Sequence, residues 1–375
     1  MLRTLFALFL SGFCTFAAAS MPQPPTVVGN AWLVADQSSG QILGSEKAEQ
    51  RFEPASLTKL MTAYLVFTAL HEKRLSLQQQ VPVSERAWKA PGSRMFIEPG
   101  KPVTVEQLIE GMEVQSGNDA CIALAEAVAG SQDVFVQMMN REAQRLGMTN
   151  THFVNPTGLP DPQHYSTAHD IYLLASALIR DFPAEYAKYY SQKDFTYNNI
   201  TQRNRNRLLW LDPSVDGMKT GHTDEAGYCL VASGKHGPRR LISVLLGSTS
   251  EQMRAQESLK LLNWGYQFFD SVKLYDKNQT VKSLEVWKGT ASKVKAGFDH
   301  AIMFSVPKGD ADKLKAELLS QQPLVAPVAQ GQRVGMLRLT LYGKPVGEYP
   351  LLALEPVGVA GIFRRGWDTL RLWMK

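Results

Sequence analysis

Cysteine is scarce in this chain of 375 residues, which has three: Cys14, Cys121 and Cys229. Three cannot build a disulfide framework, and Cys14 lies in a leader-like stretch, so one Cys121–Cys229 pairing is the most available. Both sit among apolar neighbours (Ala120 and Ile122; Tyr228 and Leu230), a setting that suits reduced, buried thiols, although sequence leaves the pairing open. Neither belongs to a Cys–His arrangement of a thiol nucleophile. The seven histidines (His71, His152, His164, His169, His222, His236, His300) show no H-E-x-x-H or related spacing, so no metal site is predicted. A glycine-rich nucleotide loop is missing too, and no cofactor is expected. The net charge of +5 is slight and dispersed, which argues against a nucleic-acid partner and suits an anionic membrane surface or cell wall. Repeats and low-complexity segments are absent, and 44% hydrophobic with 20% charged residues is a globular composition.

The apolar run at the start, Leu5 to Phe16, is too short for a comfortable membrane span. Arg3 before it and Ala17-Ala18-Ala19 after it complete the pattern of a cleavable signal peptide over residues 1–19. The mature protein is therefore expected outside the cytoplasm.

Length alone predicts two domains. Residues 20–275 read as mixed α and β. Val27 to Asp36 is a predicted strand, with Ala31, Leu33 and Ala35 alternating against Trp32 and Val34, and Gln41 to Leu43 is a short partner. Predicted helices cover Ser56–Leu70, Val105–Met112, Asn118–Ala129, Asp133–Leu146, Thr167–Ile179 and Glu251–Phe269, with strands at Gly227–Ser233 and Arg240–Gly247. Residues 280–355 change to short β-type runs with Gly and Pro turns, a small β-rich domain. The tail, 356–375, places Val359, Ile362, Phe363, Trp367, Leu370, Trp373 and Met374 on one helical face. Arg364, Arg365, Asp368, Arg371 and Lys375 fall mostly on the other, the pattern of a helix lying in a membrane interface.

Three short strings carry the chemistry: Ser56-Leu57-Thr58-Lys59, Ser116-Gly117-Asn118 and Lys219-Thr220-Gly221. Each is weak alone; their order is the signature of penicillin-recognising serine enzymes. Serine needs a neighbouring base to become a nucleophile. Ser56 and Lys59 are three apart on one helix face, and nearly every other position there is apolar. Burial and a second cation, with Lys219 the candidate, would keep Lys59 neutral enough to serve as that base. Ser116 and Asn118 suit proton shuttling and substrate holding on a tight loop. Lys219 to Thr223 reads as an edge strand beside which a substrate could lie, with Gly221 permitting close approach.

The strings Pro54 to Tyr64, Ser116 to Cys121 and Asp216 to Thr223 resemble the low-molecular-mass penicillin-binding proteins that are D-alanyl-D-alanine carboxypeptidases. The resemblance covers nearly the whole mature chain. It implies an α/β (α+β) serine β-lactamase/penicillin-binding-protein-like catalytic domain, an antiparallel sheet flanked by helices plus a helical subdomain. A smaller mainly-β domain and an amphipathic anchoring helix would follow. It implies that Ser56 is acylated, with Lys59 as its base and Ser116 and Asn118 assisting. Lys219, Thr220 and Thr223 would line a carboxylate pocket, and the N–H groups of Ser56 and His222 would form the oxyanion hole. Arg254 aligns with an arginine that binds the terminal carboxylate. Pro91 to Phe96 resembles the loop flanking the site, with Arg94 where relatives often carry a small residue. The implied substrate is the peptidoglycan peptide, the inhibitors are β-lactams, and the location is periplasmic, on the outer face of the inner membrane. A class A β-lactamase would need an E-x-x-L-N string for deacylation, and none lies between Asn118 and Lys219. A D,D-endopeptidase on the same scaffold and a wall-binding scaffold without turnover are the alternatives.

Overall fold

The computed structural model describes residues 21–374; residues 1–20, with the predicted signal peptide over 1–19 and Cys14, and Lys375 lie outside the described residues. The catalytic half is organised on a five-stranded antiparallel sheet. Its strands are β1 (Ala31–Asp36), β2 (Gln41–Glu46), β3 (Val215–Thr223), β4 (Gly227–His236) and β5 (Arg239–Ser248), in the order β2-β1-β5-β4-β3. Both faces are covered, and the period-two alternation assigns residues to them. Ala31, Leu33, Ala35, Ile242 and Val244 enter a large core shared with the helices, while Trp32, Val34, Leu241 and Leu245 enter a second core. The predicted first strand is shorter than expected: residues 27–30 lead into it without joining the ladder.

The larger core contains α1 (Lys59–His71), α2 (Val105–Val114), α3 (Asn118–Ala129), α4 (Gln132–Arg145), α5 (Ala168–Asp181) and α6 (Pro183–Tyr189). The second core is closed by α7 (Glu251–Phe268), which buries Ala255, Leu261, Leu262 and Trp264 against the opposite sheet face. Side chains at their N-caps fix several of these helices, as Thr104 does for α2 with a capping box and Ser250 for α7. One expectation changes. Ser56 is not the first residue of a long α-helix but lies in a 3-10 turn, Ala55–Thr58, that runs into α1 at Lys59.

The strands that follow α7 are β6 (Phe269–Tyr275), β7 (Lys282–Trp287), β8 (Lys293–Gly297), β9 (Ile302–Pro307), β10 (Leu314–Ser320), β11 (Leu324–Val325), β12 (Arg333–Leu341) and β13 (Lys344–Ala353). They form a six-stranded sheet ordered β10-β12-β13-β8-β7-β11 and the β6–β9 pair, around a core that includes Phe298, Phe304, Leu337 and Leu351. Asp36 joins the two halves: fully buried, it accepts from Nε of Arg239 at 2.7 Å and from Oγ of Ser305 at 2.9 Å. Finally α8 (Ile362–Trp373) rests on the β domain through its polar side. Asp368 accepts from the Lys288 N–H at 2.7 Å, and the Arg371 guanidinium stacks over Trp287.

Candidate active site

The turn that carries Ser56 is forced into shape from two sides. Ala55, immediately before it, has φ of +47°, an uncommon conformation for a residue with a Cβ. Behind the turn, Gly158 has φ of +82°, and a Cβ there would come within 1.8 Å of the Ala55 carbonyl oxygen. In front, a Cβ on Gly221 would sit 3.2 Å from the Ser56 nitrogen. Strand β3 therefore lies against the backbone of the nucleophile turn, the close approach expected of Gly221. His164, buried and 2.8 Å from the Thr58 hydroxyl, supports the turn from below; burial holds its imidazole down at about 4, so it is neutral.

Lys59 is fully buried, and its Nζ has three neighbours: Oγ of Ser56 at 2.9 Å, Oδ1 of Asn118 at 2.7 Å and the Thr157 carbonyl at 2.7 Å. A neutral amine has two N–H donors and one lone pair. With the donors satisfied by Asn118 and Thr157, the lone pair faces the Ser56 hydroxyl. Burial pushes this amine down to about 8, and the Arg205 guanidinium adds to the effect, while Cys121, Glu113 and Asp119 oppose it. The cation expected to act on Lys59 was Lys219; the two buried amines do face each other, Lys219 being pushed down by burial and by Lys59, and Arg205 is a further cation beside both.

Ser116 and Asn118 are held by the start of α3. Ser116 has φ of +64° and its buried Oγ has no partner among the described residues, leaving it free toward the cleft. Asn118 divides its amide between Lys59 and the Pro91 carbonyl, which accepts from Nδ2 at 2.7 Å. Asp119, fully buried, accepts from the N–H groups of Met95, Phe96 and Ile97 and so clamps the flanking loop to the helix. In that loop Ser93 lines the cleft, whereas Arg94 stacks over Phe96.

The cleft in front of Ser56 has a volume of about 220 Å³ and is lined by Ser116, Arg205, Thr220, His222, Tyr228 and Arg254. Strand β3 forms one wall as the sheet edge, and Lys219 lies buried behind it. His222 packs on Tyr228 with ring centroids 4.1 Å apart, and Arg254 lies over the same ring. Arg254 is buried rather than solvent-facing, and it donates to the carbonyls of Gly221 and Arg205. Thr223 ends the strand: its hydroxyl accepts from the Ala226 N–H in the following turn and donates to Glu53, three residues before Ser56, at 3.3 Å. The far end of β3 is anchored at Asp216, which binds Arg240 through both oxygens at 2.6 Å and accepts from Tyr186.

Two site residues escaped the sequence reading. Arg205 lies between Asn204 and Asn206, both buried and hydrogen-bonded to the surrounding backbone, so that the arginine projects into the cleft. The Asn-Arg-Asn string was the available signal. Glu113, buried behind the cleft, had none, because Glu106, Glu110 and Glu113 share helical spacing and read as one solvated stripe. Cys121 and Cys229 are free and buried, each thiol pushed up to about 11 by burial, which settles the open pairing.

A nucleophile–amine pair between an S-G-N loop and a K-T-G edge strand is matched by sequence comparison. The family profile described as D-alanyl-D-alanine carboxypeptidase covers residues 18–250, and that of the penicillin-binding protein 5 C-terminal domain covers residues 269–358. The chain belongs to the D-alanyl-D-alanine carboxypeptidase family. Among its relatives, the Escherichia coli D-alanyl-D-alanine carboxypeptidase DacC is 45% identical over 97% of this chain and 93% of its own length. The crystal structure of penicillin binding protein 5 from Haemophilus influenzae is 40% identical, with a TM-score of 0.86 over 90% of this chain and 99% of that one. A third similar structure is that of penicillin-binding protein D2 from Listeria monocytogenes in the ampicillin-bound form. It is 32% identical, with a TM-score of 0.57 over 65% of this chain and 100% of that one.

Proposed function

We propose that the protein is a serine-type D-Ala-D-Ala carboxypeptidase that removes the terminal D-alanine from peptidoglycan peptides through an acyl-enzyme on Ser56. The observation that carries this reading is the buried Lys59 amine 2.9 Å from the Ser56 hydroxyl, beside a cleft with two guanidinium groups. Lys59 takes the Ser56 proton as Oγ attacks the penultimate carbonyl carbon. The oxyanion forms next to the backbone N–H groups of Ser56 and His222, whose turn and strand are in contact through Gly221. The C–N bond then breaks, and the proton passes to the departing D-alanine amine through the Lys59–Ser116 side of the site. Water, deprotonated by Lys59, then attacks the ester carbonyl; the C–Oγ bond breaks and Lys59 returns that proton to Oγ of Ser56.

Arg205, Arg254 and Thr220 supply what a free terminal carboxylate requires, with the Lys219 ammonium behind them. Two guanidinium groups in the cleft suit a free terminal carboxylate and so favour a carboxypeptidase over an endopeptidase. A β-lactam presents the same amide and carboxylate in a ring and would acylate the same serine, in line with the ampicillin-bound relative. Loss of D-alanine release in a Ser56→Ala variant tests the assignment.

The location follows from α8 and the leader. Ile362, Phe363 and Trp373 are 82%, 96% and 87% exposed, while the polar side of the helix is occupied by the β domain. No described helix is long and apolar enough to cross a membrane. An exposed apolar face flanked by Arg364, Arg365 and Arg371 supports interfacial attachment to an anionic bilayer. Together with the signal-peptide pattern of residues 1–19, that face supports a periplasmic location on the outer face of the inner membrane.

A further inference from the structure

Glu113 has no task in the chemistry above. It stands in the last turn of α2, just before the Ser116 loop, and is 2% exposed. Both carboxylate oxygens are buried without a hydrogen bond of good geometry among the described residues, the Tyr190 hydroxyl being the neighbouring donor, so no close local partner satisfies the charge. An ionised carboxylate so placed is costly unless a cation compensates it. The groups that face it are Lys219 on β3, Lys59 on α1 and the Tyr190 hydroxyl just after α6. Lys219, buried in turn, is faced by Glu113, Lys59, Arg205 and Arg254. Of these four, Glu113 is the one anion.

We propose that Glu113 is a positioning residue: its carboxylate is the counter-charge that keeps a proton on Lys219, and through Lys219 it sets how well the cleft holds a free carboxylate. The inference rests on the carboxypeptidase reading of the same site. Burial alone favours the neutral form of both groups, raising the carboxyl and lowering the amine. Together they form a pair without net charge, and each favours the ionised form of the other. Without Glu113, Lys219 would be surrounded by Lys59, Arg205 and Arg254, all of which drive its proton off.

The test is the pH dependence of kcat/KM for diacetyl-Lys-D-Ala-D-Ala in Glu113→Gln, which keeps the shape and removes the charge. The falling limb should move down by about one pH unit, with KM at pH 8 rising about 10-fold and kcat changing less than about 3-fold. Glu113→Asp should recover part of that shift. A falling limb that stays in place, with a uniform loss of activity or stability, would overturn the proposal. Carbon-13 NMR of the wild-type protein gives a second readout that needs no variant to fold. Glu113 should be ionised at pH 8 and titrate in the same window as Lys219; a carboxyl still protonated at pH 9 would overturn the proposal. If the wild-type enzyme releases D-alanine in a Ser56-dependent way and the limb is unmoved, this inference fails and the function assignment stands. Absence of release from the wild type would instead defeat both.

Discussion

Nζ of Lys59 lies 2.9 Å from Oγ of Ser56, with its two other contacts, Asn118 Oδ1 and the Thr157 carbonyl, both hydrogen-bond acceptors. That division leaves one place for a lone pair, and it points at the serine. The mechanism depends on Lys59 being unprotonated when substrate arrives.

The acylation rate should therefore rise with pH. Below about 8 the buried amine holds its proton and cannot accept another; above that value it is a base. The second-order rate of Ser56 acylation by penicillin should climb through that value, far below the 10.5 of an ordinary lysine. Lys59→Arg, always charged, should be inactive throughout. A rate independent of pH between 6 and 9.5 would contradict the assignment of Lys59 as base.

Carboxylate recognition is assigned to Arg205 and Arg254. Arg205→Ala should cut kcat/KM for a D-Ala-D-Ala substrate about 10²-fold, mostly in KM, because a charge-assisted contact is lost. The carboxamide analogue, which brings no charge, should lose less than about 3-fold. Equal losses on the two substrates would show that Arg205 is not a carboxylate contact.

The nucleophile turn is pressed from behind by the loop at Gly158. Gly158→Ala introduces a Cβ 1.8 Å from the Ala55 carbonyl oxygen at a positive φ, so the turn or the loop must move. Thermal or denaturant unfolding should show a loss of about 3 kcal/mol, and Ser56 acylation should slow in the fraction still folded. A variant of native stability and reactivity would mean that the turn is less constrained than its packing indicates.

Membrane attachment is assigned to α8. Phe363→Ser with Trp373→Ser should abolish co-sedimentation with anionic phospholipid vesicles and leave D-alanine release unchanged, since that face touches nothing in the catalytic half. Retained sedimentation would move the attachment elsewhere.

Much of this was legible in the sequence, for a local reason. The three motifs are short strings whose residues act where they stand, and alternation in residues 31–35 separated the two sheet faces that the structure buries in different cores. What was hidden depends on contacts between distant segments. Nothing in the string Pro54-Ala55-Ser56 announces a positive φ at an alanine, because that strain is imposed by Gly158 and Gly221. Arg205 becomes a site residue because two buried asparagines brace its loop, and Glu113 leaves the polar stripe of its helix because β3 and α1 close over it. Thr223, expected at the carboxylate pocket, is instead engaged by the turn after β3, which spacing from Lys219 could not reveal.

D-alanine release from diacetyl-Lys-D-Ala-D-Ala by the purified protein, alongside Ser56→Ala, tests the central claim most directly. The account predicts steady release by the wild type and none by the variant, with fluorescent penicillin labelling the first and not the second. Penicillin labelling of Ser56 without D-alanine release would contradict it, leaving an acylatable site that does not act as a carboxypeptidase.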